Sequence, residues 1–473
     1  MTDAPSNSAH QRAWIVVALK WTVAVPGLLV LVLGIGIAAR YLTGMTRLQR
    51  LQAVHATLDF EPVVPLFLRT QLGETRCHPL DRIKYILIDK ITDEQMSALE
   101  GCYGVKIIDV SGSEQRHLTD AGLAYLRGLT SVRELALRMC DIGPDGMEVL
   151  SRCPDLEELY LETVTVTDAS LEPVRRFPKL RHFSMSVADL SHVTARGIEA
   201  IASAPELRKL YLQLPDRTEA AFEALAHGSR LSRIEVMNVG HLTANKLRAL
   251  ARLARLRSLT VWCDSADYDA LSPLSQYPAL KEFVISCHSL SDDHLVYLGT
   301  CPKLEKLHIL GAGLSGYGLE TLTRHPALTQ LGLTNAAVSA DAVLAISRAT
   351  QLKSLELGYG QIAPQSIHHL RSLVDLETLD LMESNVTDED LCVIRFLPKL
   401  HTLLLHGTPT SRDFLQTLAA EDALPPELAR ALPEAIATRQ HYEQISGWPR
   451  FGPQHESCAL SILRWVRPPV EED

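Results

Sequence analysis

This 473-residue chain lacks most of what would mark an enzyme or a metal site. There is no HExxH, no GxSxG and no GxxxxGK[ST], so the signatures of zinc proteases, nucleophile elbows and phosphate loops are absent. Its nine cysteines include no CxxC pair, which leaves neither zinc spacing nor a secreted disulfide framework. Cys263 and Cys287, 24 residues apart, are the one pair whose spacing suggests a bridge; the other cysteines read as small buried hydrophobes. Positive charge is also short. The net charge is −10, and residues 1–50 hold Arg12, Lys20, Arg40, Arg47 and Arg50 against Asp3, so the remainder is more acidic still. Such a surface repels phosphate backbones and excludes nucleic acid as the expected partner.

What the chain has instead is a repeat. Leu-x-x-Leu-x-Leu stands at Leu156, Leu159, Leu161, at Leu328, Leu331, Leu333, at Leu352, Leu355, Leu357, at Leu376, Leu379, Leu381 and at Leu400, Leu403, Leu405. From Leu280 to Leu400 the step is 24 every time; upstream it varies between 24 and 27. A fixed period of this size predicts a solenoid, whose product is an extended surface rather than a pocket. Within one copy the Leu-x-Leu part has period 2 and predicts a short strand with one buried face. Leu391, Ile394 and Leu397 follow at spacing three, which suits a short helix or 3₁₀ segment.

Local signals punctuate each unit. Thr387-Asp388-Glu389-Asp390 places an N-cap threonine before the helical positions, with a carboxylate three residues on. Thr92-Asp93, Thr119-Asp120, Thr167-Asp168 and Ser291-Asp292 occupy the same slot, so these carboxylates read as caps rather than catalytic groups. Prolines 154, 178, 205, 278, 302, 326 and 398 end the convex segments. The match to GxGxxG at Gly311–Gly316 falls inside this frame, with Leu314 and Ser315 on regular repeat positions. His368-His369 lie side by side on a helical segment and share no face, so no metal is expected there.

These copies resemble leucine-rich repeats of the form LxxLxLxxxxVTDxxLxxLxxxP. The ninth position, often Asn in that family, is here Cys140, Val164, Ala312, Ala336, Gly360, Ser384 and Thr408, loosely similar to the cysteine-containing, F-box-associated subclass. The resemblance implies an α/β solenoid, with a curved parallel sheet on the concave face and short helices on the convex face. Expected boundaries are a tail over 1–20, a transmembrane helix over 21–39, a juxtamembrane segment and N-terminal cap over 40–81, the repeat array over 82–410, and a helical C-terminal cap with an acidic tail over 411–473.

The transmembrane expectation rests on Trp21 to Ala39, 19 uncharged and mostly apolar residues. Trp14, Trp21 and Tyr41 suit interfacial anchors. A cleaved signal peptide ending near Gly36 and Ala38 is the competing reading. Flanking positive charges nearly tie, and the expectation tilts toward a single-pass membrane protein with an exported repeat domain. In that form the chain resembles bacterial membrane-anchored leucine-rich-repeat proteins of the kind planctomycetes encode.

The expected function is a non-enzymatic, membrane-tethered scaffold that binds another protein through its concave sheet, with no cofactor and no metal. Residues between and just after the strand leucines point away from the core. They are Tyr160, Glu162, Tyr211, Gln213, Glu235, Met237, Trp262, His308, Glu356, Tyr359, Asp380, Met382 and His406. Aromatics and Met there suit an interface, and Tyr and Trp are common anchors; cross-strand stacking is the structural alternative. Two other classes stay open: a ubiquitin-ligase substrate adaptor, which would need an F-box where the hydrophobic span stands, and an enzyme with its site in the C-terminal segment.

Overall fold

The computed structural model describes residues 35–420 apart from 114–117, 188–191, 215–217, 312 and 324, together with scattered positions between 426 and 436. These residues form two compact units, up to Leu280 and from Lys281 onward. Each is a coil of strand, turn and short helix repeated along a parallel sheet.

In the first unit the sheet runs β1 (Thr57–Glu61), β2 (Arg82–Ile88), β3 (Ile107–Ser111), β4 (Glu134–Arg138), β5 (Glu158–Val164), β6 (His182–Val187), β7 (Lys209–Gln213), β8 (Arg233–Met237) and β9 (Ser258–Trp262), in that spatial order. The two leucines of each motif form in-register columns. One passes through Leu135, Leu159, Phe183, Leu210, Ile234 and Leu259, the other through Leu137, Leu161, Met185, Leu212, Val236 and Val261. All are buried, as period 2 predicts for a strand with one face in the core. Only β1 runs antiparallel, pairing with β2 and covering an edge that would otherwise offer unpaired backbone groups.

The second unit repeats the plan with β10 (Glu282–Ser286), β11 (Lys306–Leu310), β12 (Gln330–Thr334), β13 (Ser354–Glu356), β14 (Thr378–Asp380) and β15 (Thr402–Leu404). Helix Arg412–Ala419 follows, burying Leu415 and Leu418.

The transmembrane expectation needs correction. Among the described residues no helix is long and apolar enough to cross a membrane. Residues 21–34 lie outside the described residues, and a helix is described over 35–53. It carries Arg40, Arg47 and Arg50, too many charges for a span. Its apolar side is used against protein: Leu48 and Leu51 are buried, and Arg50 donates to the Glu100 carbonyl at 2.8 Å. Gly44 makes the approach possible, since a Cβ there would lie 1.9 Å from the Pro79 carbonyl oxygen. The single-pass anchor, and the membrane localisation built on it, is therefore withdrawn. Nearby, Arg69 pairs with the buried Asp81 at 2.8 Å. Burial pushes the Asp81 carboxyl up, but the Val63 amide and the Arg69 guanidinium overcome this and hold it below its usual range.

The Thr-Asp pairs are caps and something more. Thr119, Thr194 and Thr243 accept from helix amides as N-caps, and Thr167, Ser291 and Thr387 form capping boxes. The adjoining aspartate reaches into the next copy. Asp93 accepts from the Thr119 amide and hydroxyl at 2.8 and 2.6 Å. Asp168 takes the Thr194 amide and hydroxyl at 2.8 and 2.7 Å and the Gly197 amide at 3.0 Å. Asp388 does the same for Ser411, both at 2.6 Å. Each carboxylate is a staple between copies as well as a helix-start charge.

Among the described residues the ninth position is buried without an Asn ladder. Ser384 and Thr408 donate back to the carbonyls of Leu381 and Leu405, at 2.6 and 2.9 Å, so each polar group is satisfied within its own turn. Gly360 has no alternative there, because a Cβ would lie 2.6 Å from the Ala336 carbonyl oxygen. Residues preceding the prolines are core: Phe177, Tyr277 and Leu397 are fully buried, and the Tyr277 hydroxyl donates to the Leu247 carbonyl at 2.6 Å. Cys263 and Cys287 are buried thiols, with no disulfide among the described residues. In the GxGxxG match, Asp292 of the preceding copy accepts from the amides of Ser315 and Gly318, at 2.8 and 3.0 Å, so these donors serve the fold.

Candidate functional site

Because the leucines alternate inward, the residues between them line the opposite side of each sheet, the side expected to be concave. In the first unit one column passes through Ala136, Tyr160, Ser184, Tyr211, Glu235 and Thr260. Beside it Gln213 pairs with Met237, while Trp262 follows Val261, the partner of Val236. Glu162 pairs with Arg138. Of these expected residues Glu162 is exposed and the others are half-buried.

The structure ties some of them down. The Tyr160 hydroxyl donates to Glu158 and lies 3.1 Å from His182 Nδ1, with the two rings edge to face at 5.0 Å between centroids. Hydrogen bonds from His182 and Tyr160 hold the Glu158 carboxyl down at about 2. Tyr160 is thus partly committed to a cross-strand network, and His182 and Glu158 belong to the surface although the motif did not single them out. Their signal was available: they occupy the strand position two residues before the column of Tyr160. Tyr211 donates to the Met237 sulfur at 2.5 Å. Burial, then the charges of Glu235 and Glu162, pushes its phenol up to about 12, so it stays a neutral donor. The Trp262 indole nitrogen is buried and has no acceptor among the described residues.

In the second unit the column runs Val284, His308, Gly332, Glu356, Asp380 and Leu404. His308 lies 3.6 Å from the Glu356 carboxylate through Nδ1 and 2.5 Å from the Thr334 hydroxyl through Nε2. Its ring lies across Gly332, where a Cβ would come within 2.7 Å of it. Burial pushes His308 down to about 4, so it is neutral near pH 7. Burial also raises Glu356, and takes Asp380 up to about 6 against the opposing pull of the Met382 amide. Tyr359 is exposed and left-handed (φ 58°), and Met382 and His406 are half-buried. Thr334 and Gly332 are the members that sequence reasoning missed; neither residue type carries a chemical signal until the register places it beside His308.

Among the described residues no cluster of His, Cys, Asp and Glu has metal-holding geometry. One hollow of about 260 Å³ lies within the second unit, lined by Pro364, Gln365, Asn385 and Asp390 among others and by none of the concave residues named above. The proposed enzyme site in the C-terminal segment falls mostly on residues outside the described ones.

Residues 128–151 match the leucine rich repeat family model, a stretch one period long. No curated protein matches this chain. Among solved structures, an internalin of Listeria monocytogenes is 20% identical and covers 77% of this chain and 92% of its own, with a TM-score of 0.44. A TLR13–ssRNA13 complex is 14% identical and covers 71% of this chain and 56% of its own, with a TM-score of 0.40.

Proposed function

We propose that this chain of leucine-rich repeats is a non-enzymatic scaffold that binds a protein partner on its concave sheet. One observation carries the reading: Tyr211, Met237 and Trp262 stand together on β7, β8 and β9 as large, half-buried side chains outside the core, and among the described residues the Trp262 indole N–H has no acceptor. Side chains of this kind anchor interfaces, because they bury much area and lose little entropy. A donor held out of water costs free energy that a partner acceptor recovers. The repeat architecture supplies the rest, presenting successive strands at a constant spacing.

The experiment is a triple substitution, Tyr160→Ala with Tyr211→Ala and Trp262→Ala. Its affinity is measured by calorimetry against a partner recovered by proximity labelling, with circular dichroism as the folding control. A loss of tenfold or more with the fold retained is the expected result. Unchanged affinity removes this surface from the binding site.

A further inference from the structure

Among the described residues, charged side chains form ion pairs from one repeat to the next. At the strand entries of the second unit Glu305 pairs with Lys281 at 2.7 Å, Glu377 with Lys353 at 2.9 Å and Asp375 with Lys399 at 2.7 Å. The concave column breaks this rule. Glu356 and Asp380 are in register on neighbouring strands, and among the described residues neither has a Lys or Arg ion-pair partner. Their neighbours along the column are neutral. On the β11 side stands His308, engaged with Thr334. On the β15 side stands Leu404, the register partner of Asp380. Gly332, the register partner of Glu356 on β12, and Gly358, two residues after Glu356, add no side chain. Two adjacent carboxylates, partly desolvated and with no Lys or Arg ion pair among the described residues, form a spot of one sign on the sheet face, with Lys306 acting on Glu356 only through its charge.

We propose that the concave sheet face of the second unit receives a basic peptide segment, with a lysine or arginine side chain seated between Glu356 and Asp380. This rests on the reading of the concave sheet as the binding surface and gives the partner its chemistry. A guanidinium suits the place best, since its planar fork can donate to both carboxylates at once. Charge complementarity selects this occupant: an acidic or purely apolar segment would leave the two carboxylates desolvated and repelling. Occupation lowers the proton affinity of both carboxyls, so binding releases protons where Asp380 is part-protonated, near pH 6. The other titratable or charged groups around the pair are His308, already neutral there, Lys306, which acts on Glu356, and His406, beyond Leu404 on the last strand.

The test uses the full chain and three synthetic probes, hexa-arginine, hexa-lysine and hexa-citrulline, titrated by calorimetry at about 0.15 M salt so that diffuse attraction is screened. Hexa-arginine is expected to bind at pH 7.5, hexa-citrulline at least tenfold more weakly, and Glu356→Gln with Asp380→Asn is expected to cost tenfold or more. Hexa-arginine affinity of the unaltered chain should fall from pH 7.5 to pH 5, and the double variant should lose that slope. Equal binding of hexa-arginine to the double variant overturns the proposal, since removing two acids of 56 leaves any non-specific attraction in place. Such a result leaves the first unit's Tyr160, Tyr211 and Trp262 test untouched, so the two failures are distinguishable.

Discussion

At the residue scale the most informative side chains are those whose environment opposes their chemistry. Asp380 is a carboxyl raised to about 6 by burial, against an ordinary value of 3.8. The sign of its effect on stability follows from linkage. Between those two values the folded chain holds a proton that the unfolded chain has lost. Stability therefore falls as pH rises through this window and stays lowered above it. Asp380→Asn removes the cost. We expect it to stabilise the second unit at pH 7.5 by about 1–2 kcal/mol, discounted for the part of the group that water reaches. The gain should vanish near pH 4, and thermal unfolding at the two pH values measures it. A destabilised variant at pH 7.5 would mean that the carboxylate is compensated in a way the geometry does not show. A residue retained at a cost to folding is what a binding site requires, and Gly332 shows a related trade: it gives up β propensity so that the His308 ring has room.

At the scale of the element the copy is strand, cap and turn, and the aspartate staple joins one to the next. Asp168 accepts three hydrogen bonds from the following copy. Asp168→Ala should cost about 2 kcal/mol, since bonds to a charged acceptor are the stronger kind and the amides of Thr194 and Gly197 lose their partner. Hydrogen exchange should quicken at helix Ala195–Ala202 and leave β2 and β3 unchanged; uniform protection would refute the staple. In the second unit Asp292 and Asp388 keep the staple, but two copies between them hold Ala340 and Pro364, whose side chains cannot accept, and the hollow beside Pro364 and Asn385 lies at one of these junctions.

Much of this was legible in the sequence, for a physical reason. Leu159, Leu161 and their equivalents repeat because every copy buries the same face, so burial imposed by one neighbour recurs at one period. The caps at Thr167 and Thr387 were legible because capping is local, fixed within four consecutive residues. The staples were not: Asp168 and Thr194 are 26 residues apart, and their contact exists only once copies stack. The same limit hid Thr334 beside His308, and it concealed that the Tyr160 hydroxyl is held by its neighbours Glu158 and His182. The hydrophobic N-terminal run misled in a different way. Apolar composition up to Ala39 suggested a span, yet the described helix from residue 35 continues through three arginines and packs Leu48 and Leu51 against protein.

At the scale of the whole molecule, the leucines and caps of the repeat serve its own stacking, which leaves the concave side chains as the place to seek function. That makes the location of binding the central claim. The most direct measurement is site-specific photo-crosslinking with a benzophenone side chain placed in turn at Gln213, on the concave side of β7, and at Glu223, exposed on helix Glu219–Leu225 of the same copy. The partner should crosslink from position 213 and not from 223. Crosslinks from 223 alone would place the binding surface on the convex side and contradict the account.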